Sequence, residues 1–288
     1  MKPEQRIRRL SFLVLSASLL VIVPLAAARP LRIPGLDDLV GLVVFTCLVL
    51  CAWALSRPAA GPLSEQASLL RVAGFLFLSP FGFVALLWVG LGSPWDATAI
   101  ENRMRYAVLV MASVAVTVAF VVAKEALSDS SDRLFPALTL AAGTLSGGGY
   151  LVWSSFYLGA YASKVATGHL APFLPSIMDI LDVLLFVASA LAYFATAALS
   201  HSLRRAGWLR PTPAFAFVLL CAVGFTFLML RGLAYPNPNQ GSAAWYTRPG
   251  FIAGIPAIPW VMPYLLGIVL LRQAGRPHPT PNRSLPAA

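Results

Sequence analysis

The stretch PSIMDILDVLLFVASALAYF, residues 175–194, is apolar over most of its length but carries two aspartates near its start. A helix of about 20 residues rises about 30 Å, which matches the thickness of the hydrocarbon core of a bilayer. The stretch therefore has the length and composition of a transmembrane helix. Asp179 and Asp182 are unusual residues in such a helix, and they raise the question of function.

Similar apolar blocks recur along the whole chain of 288 residues, which is 58% hydrophobic and only 11% charged. In a soluble domain about 25% of the residues are charged, more than twice the fraction found here. The mean hydropathy of the chain is +0.77. We predict an all-α polytopic membrane protein, a bundle of eight transmembrane helices in one domain, residues 1–271. The Pro-rich, polar segment 272–288 is predicted to be a disordered cytoplasmic tail. The helices are expected at about residues 10–28, 39–55, 72–92, 106–123, 136–158, 177–199, 214–230 and 250–271.

The basic residues between these blocks predict the orientation. With the N-terminus inside, fourteen of the 21 Lys and Arg residues lie on the cytoplasmic side and seven outside. The positive-inside rule then places both ends of the chain in the cytoplasm. The net charge of +10 is explained by contact with lipid headgroups, so the expected partner is the lipid bilayer and not nucleic acid. Because arginine greatly outnumbers lysine and alanine is abundant, as in GC-rich genomes, we expect a bacterial cytoplasmic membrane.

The first block leaves two interpretations open. Its basic start, apolar run and three alanines at residues 26–28 are typical of a signal peptide. Its apolar run of about 19 residues is longer than the 7–15 residues usual for a signal peptide, which favours a retained helix. Cleavage would instead leave seven helices and an outer N-terminus.

The two aspartates of the opening stretch call for different explanations. Ser176 and Asp179 have the spacing of a capping box, and a carboxylate at this place also complements the helix dipole. Asp182 lies beyond the first turn, where an ionised carboxylate facing lipid would cost about 2.5–3.5 kcal/mol. We therefore expect Asp182 to face the interior, with Asp179 three residues earlier on the same face, either as a cation or proton site or as a member of a buried ion pair.

Two further blocks contain residues that disturb helices. The fifth contains the run Gly147, Gly148 and Gly149, which indicates either close helix packing or a hinge. The eighth contains Pro256, Pro259 and Pro263, which predict a bent or broken segment. On one face of this segment, Trp260 and Tyr264 are candidates to line a transport site; a bent helix that merely packs against its neighbours is the alternative.

The sequence contains no signature of a known catalytic class. No GxSxG, phosphate-binding loop or paired intramembrane histidines occur, and the three cysteines lie inside apolar blocks. The charged residues Asp96, Glu101, Arg103 and Arg105 are expected to form ion pairs at the surface. No catalytic residue, cofactor or metal site is therefore predicted.

These features favour a transporter or permease for a small solute or ion, with a solute or cation as its ligand. A non-catalytic sensor, assembly or accessory membrane protein is the first alternative. An intramembrane enzyme acting on lipid is a weaker one.

Overall fold

A computed structural model of the chain describes residues 3–27, 35–58, 63–92, 94, 97–128, 132–232 and 255–276. Of these residues 84% are helical and none lies in a strand, which confirms the predicted all-α class. The helices are α1 (Pro3–Ala17), α2 (Leu19–Ala27), α3 (Leu36–Ser56), α4 (Glu65–Leu87), α5 (Ala99–Glu125), α6 (Leu134–Thr167), α7 (Leu174–Arg205), α8 (Pro211–Arg231) and α9 (Val261–Ala274).

Six helical segments of the described chain are long and apolar enough to cross a membrane. They are Glu4–Ala26, which joins α1 and α2, and then α3, α4, α5, α7 and α8. Many large apolar side chains on these helices are exposed at the surface of the bundle, such as Leu20 (79%) and Phe215 (67%). A surface of this kind is suited to lipid and not to water. The chain therefore has the character of a multi-pass membrane protein.

The centre of the bundle is formed by α5, α6 and α7. The ring of Phe120 in α5 lies against Gly143 of α6, and Ser146 of α6 donates a hydrogen bond of 2.7 Å to the Ala188 carbonyl of α7. Because α6 runs between two neighbours and antiparallel to both, much of its surface faces protein. This position allows α6 to carry glycine, serine and tyrosine, which lower its hydropathy below that of the six segments above.

A second group is built around α4 and α9, with α1 and α3 beside them. Gly74 of α4 and Gly267 of α9 face each other, and a Cβ added to either would lie 3.1 Å or 2.9 Å from the other's carbonyl oxygen. Small residues of this kind allow two helix backbones to approach closely. Two turns further along α4 and one turn earlier in α9, the side chains of Phe81 and Tyr264 pack edge to face, with ring centroids 5.1 Å apart.

Several helices are longer than the predicted ones. Helix α6 extends to Thr167 and ends at Gly168, whose φ of +80° is the left-handed conformation that glycine favours at a helix C-terminus. Helix α7 runs from Leu174 to Arg205, beyond the predicted 177–199 at both ends. Hydropathy detects only the part of a helix that matches the bilayer core and misses its extensions into the headgroup region. The predicted tail begins inside α9, and its residues 277–288 lie outside the described part of the chain.

The helices define two ends of the bundle. The end at which α5 and α7 begin and α6 ends is here called the column end. The end at which α1 and α8 begin and α3 and α9 end is here called the arginine end. Arg8 connects three elements at the arginine end, because its guanidinium donates hydrogen bonds to the carbonyls of Gly275 (2.9 Å), Leu55 (3.2 Å) and Arg272 (3.4 Å).

Candidate functional site

Four aromatic residues follow one face of α6 toward the column end: Tyr150, Trp153, Tyr157 and Tyr161, here called the aromatic column. Tyr106 of α5 stacks on two of its rings, with centroids 4.9 Å from Tyr157 and 5.5 Å from Tyr161. The spacing of three or four residues places these side chains on one face of a helix. Tyr106 also contacts Trp153, so rings from Trp153 to Tyr161 form a layer between α5 and α6, while Tyr150 continues the same face of α6 toward α7.

Asp182 lies beside this column. Its side chain is half-buried at the α6–α7 interface and interacts electrostatically with Tyr157. Seven residues further along the same face of α7, the Ser189 hydroxyl is 2.8 Å from the Tyr150 hydroxyl. The adjacent residues Ile180 and Val183 are exposed and point to the outside of the bundle. The residue singled out by its cost in lipid is thus at a helix–helix contact.

Asp179 occupies a different environment, and the predicted capping box is wrong. Helix α7 begins at Leu174 with Phe173 as its N-cap, and no side chain caps it. Ser176 is already inside the first turn, because Pro175 is well suited to one of the first helical positions and starts the helix earlier. Asp179 therefore lies in the second turn, where its side chain is exposed.

The three glycines of the predicted hinge are part of a continuous α-helix. A Cβ added to Gly147 would overlap the Thr117 hydroxyl of α5, and one added to Gly149 would lie 2.9 Å from the Ala188 Cβ of α7. Around Gly148 there is open space. The geometry at the first and third glycines corresponds to the close-packing alternative.

The proline-rich segment is irregular, as the sequence predicts. Residues 255–257 form a turn and Ile258–Trp260 a 3₁₀ turn, so regular α-helix begins only at Val261. Pro256 and Pro259 precede that start. Pro263 lies in the first turn of α9, where the N–H that proline lacks would have no partner inside the helix.

Trp260 and Tyr264 are both buried, but they contact different parts of the bundle. Trp260 packs on Tyr150 of the aromatic column, with ring centroids 4.7 Å apart. The Tyr264 hydroxyl lies 2.7 Å from the Ser18 hydroxyl and donates to the Leu15 carbonyl at 3.1 Å. The structure thus connects Trp260 to the column beside Asp182 and connects Tyr264 to the junction of α1 and α2.

Arg105 is a residue whose importance the sequence analysis missed. It is 2% exposed, and its guanidinium donates to the Asn102 side chain and to the carbonyls of Gly92 (2.9 Å) and Leu91 (3.3 Å). It also lies over the ring of Trp88, 5.1 Å from the centroid. The predicted surface ion pair is therefore wrong for Arg105. Asp96 lies outside the described residues.

A local signal in the sequence could have revealed this arginine. Thr98 and Glu101 form a capping box, with mutual hydrogen bonds between each side chain and the other's backbone N–H. The segment TAIE has the sequence pattern of that motif and starts α5 at Ala99, seven residues before the predicted start. Arg105 then falls in the second turn of a helix and not in a loop.

The column end thus places a buried cation and a half-buried carboxylate on two sides of stacked tyrosines. Arg105 interacts electrostatically with Tyr106 and Tyr161, and Asp182 interacts with Tyr157. Aromatic faces and a carboxylate together can attract a cation, and the same contacts can also simply fix three helices. Among the described residues, no group of three or more His, Cys, Asp or Glu side chains is arranged to hold a metal ion.

No protein-family model, curated protein sequence or solved structure matches this chain.

Proposed function

We propose that the chain crosses a bacterial cytoplasmic membrane eight times, with both ends in the cytoplasm. The contact of Arg8 with Gly275 supports an even number of crossings, since it brings the start of α1 and the end of α9 together. The two further crossings would be α6 and the segment 258–274, which are the less apolar and the shorter helix. The excess of basic residues at the arginine end supports its cytoplasmic location.

Within this architecture we propose a non-catalytic role as a sensor, assembly or accessory protein. The observation that carries the proposal is the direct packing of residues that a transporter would use as a hinge or a substrate site. Gly147 and Gly149 are in contact with side chains of α5 and α7, and Trp260 is covered by Tyr150. A hinge or a substrate site needs space around these positions, whereas a fixed bundle needs the contacts.

Transport of a small solute or cation is the second candidate, and Asp182 favours it. Its carboxylate lies partly exposed next to Tyr157, close to the aromatic column. A cation entering from the column end would meet the Asp182 carboxylate and the neighbouring tyrosine side chains. An enzyme acting on lipid has no comparable support among the described residues.

Water access to the centre of the bundle distinguishes these two functions. Ser146 and Ser189 are buried, and cysteine is nearly the same size, so each can be replaced in a background in which Cys47, Cys51 and Cys221 are alanine. In sealed vesicles we expect a hydrophilic maleimide to leave Ser146→Cys and Ser189→Cys unmodified.

The matched control is Ala162→Cys, an exposed position at the column end of α6, which the reagent should modify quickly. Modification of both buried cysteines at a rate close to that control would contradict the packed bundle and support transport. The side from which Ala162→Cys reacts also tests the orientation, because an impermeant reagent should reach it only from outside.

A further inference from the structure

The connection between α7 and α8 forms one wall of a cleft at the arginine end. Gly207 turns the chain with a φ of +78°, a conformation that glycine adopts without strain, and α8 starts four residues later, at Pro211. The end of α9 forms the opposite wall. The cleft has a volume of about 440 Å³ and is lined by Arg204, Gly207, Trp208, Leu209, Arg210, Pro211, Gln273 and Arg276.

Three of the lining side chains are arginines, and none of the described residues that line the cleft is Asp or Glu. The ion pairs among the described residues are Arg205 with Asp132 and Lys124 with Glu125, so none of the three cleft arginines is neutralised there. The Arg276 guanidinium donates to the neutral Gln273 side chain, at 3.3 Å. Within the described part of the chain, three arginines therefore line one concave surface without a carboxylate partner.

Further positive charges surround the cleft. Arg272 interacts unfavourably with Arg276, Arg8, Arg9 and Arg210. Repulsion between these like charges raises the energy of the folded chain, and a bound anion offsets it by attracting each of them. The arrangement therefore favours an anionic ligand over a neutral one.

The chemistry of the lining favours phosphate among anions. The planar guanidinium of arginine binds phosphate oxygens through paired hydrogen bonds, and here several guanidiniums converge. Arg210 and Pro211 also mark the N-terminus of α8, whose dipole presents positive charge to the cleft. Trp208, which is buried in the wall, adds a rigid apolar surface below these polar groups.

The cleft is also located at the level of lipid headgroups. Phe215, one turn into α8 from Pro211, is 67% exposed and begins the apolar outer surface of that helix. The cleft therefore lies where the apolar surface ends and the connection between helices begins. We propose that this cleft binds a phosphate-bearing anion, either the phosphodiester of an anionic lipid or a free phosphate, and so holds the end of α9 to the start of α8.

The test uses the full chain in nanodiscs of zwitterionic lipid at constant ionic strength. One arm adds phosphatidylglycerol to the bilayer and measures lipid retained on the protein by native mass spectrometry. The other arm adds inorganic pyrophosphate and measures the shift in melting temperature. Binding in the first arm alone identifies a lipid headgroup. A melting temperature that rises with pyrophosphate concentration identifies a soluble phosphate, and either result supports binding at the cleft.

The variant Arg204→Gln with Arg276→Gln removes two cleft charges, both on exposed side chains. The matched control, Arg6→Gln with Arg133→Gln, removes two exposed charges from the same end of the bundle outside the cleft. We expect binding to weaken about tenfold or more in the cleft variant, as the loss of charge-assisted hydrogen bonds implies, and to change by less than about twofold in the control.

Substitution of the same two arginines by lysine keeps the charge and loses the paired hydrogen bonds. Binding by the lysine variant should be intermediate, which separates phosphate recognition from a general attraction of charge. Absence of binding in both arms would overturn the proposal. Equal weakening by the cleft and control variants would overturn it as well, since it would show attraction to the whole basic surface.

Discussion

The two ends of the bundle differ in whether their positive charges are buried or exposed. At the column end, Arg105 is buried, and its two terminal guanidinium nitrogens donate to the Asn102 side chain and to carbonyls of the segment that follows α4. At the arginine end, Arg204, Arg210 and Arg276 stand around an open cleft without a carboxylate among the described residues. A buried charge needs hydrogen-bond partners inside the protein, whereas an exposed charge can be hydrated by solvent or can bind a ligand.

Arg8 shows that the difference depends on burial and not on which end of the bundle a residue occupies. Although it lies at the arginine end, it is partly buried and donates to carbonyls at the ends of α3 and α9. Arg8 therefore complements the negative C-terminal ends of α3 and α9, while Arg105 donates to carbonyls of the segment after α4. The cleft arginines have no such role, which is why they are the ones available to an anion.

The largest effect should come from removing the buried charge. Arg105→Gln leaves the carbonyls of Leu91 and Gly92 without their charged donor, and it removes the contact with Trp88. We expect a loss of about 3 kcal/mol or more in the free energy of unfolding, because hydrogen bonds to a charged group contribute about 1.5–3 kcal/mol each. Thermal unfolding in detergent and abundance in the membrane measure it.

The matched change at the other end is Arg204→Gln, on an exposed side chain with no described ion pair. Its effect on stability without added anion should be within about 0.5 kcal/mol. Equal stability losses for Arg105→Gln and Arg204→Gln would remove the distinction between the two ends.

An intermediate effect is expected where α6 packs most closely. Gly147→Ala introduces a methyl group that overlaps Thr117, and such overpacking costs about 1–3 kcal/mol. Gly148→Ala, one residue away, enters open space and should be neutral or stabilising by up to about 1 kcal/mol through helix propensity. The difference between their melting temperatures therefore reports packing alone. A Gly147→Ala protein as stable as Gly148→Ala would favour a loose hinge.

The sequence predicts the fold class well because its main signal, the length of apolar blocks, is set by the bilayer. It also predicts the irregular start of α9, since three prolines act locally. It fails at Ser176 and Arg105 for a shared reason. In both cases the helix begins outside its apolar part, so hydropathy places its start too late, and the roles assigned to nearby charges are then wrong.

The candidate site is less predictable because its residues come from distant parts of the chain. Asp182 stands out by its cost in lipid, but nothing in α7 indicates that Tyr157 of α6 is its neighbour. Tyr106, Tyr157 and Tyr161 lie near the ends of apolar blocks, where aromatic residues are common in any membrane helix, and only the antiparallel packing of α5 against α6 stacks them. The cleft likewise depends on the end of α9 meeting the α7–α8 connection, a contact between elements about 70 residues apart.

The smallest effects, and the sharpest test of function, concern the two aspartates. Asp179→Asn changes an exposed side chain and should alter stability by at most about 0.5 kcal/mol. Asp182→Asn keeps the shape of a half-buried side chain and should cost about 1 kcal/mol, in the range of one hydrogen bond.

Stability alone therefore separates these two aspartate variants only slightly, and the dependence of stability on added cations must decide. A cation that binds the folded protein raises its melting temperature increasingly as its concentration exceeds the dissociation constant. For a packed bundle without a cation site, titration with Na⁺, K⁺ or Ca²⁺ at constant ionic strength should shift the wild type and both variants equally. A shift that grows with the concentration of one cation in the wild type and in Asp179→Asn, but is absent from Asp182→Asn, would contradict the packed-bundle proposal and support cation transport at the column end.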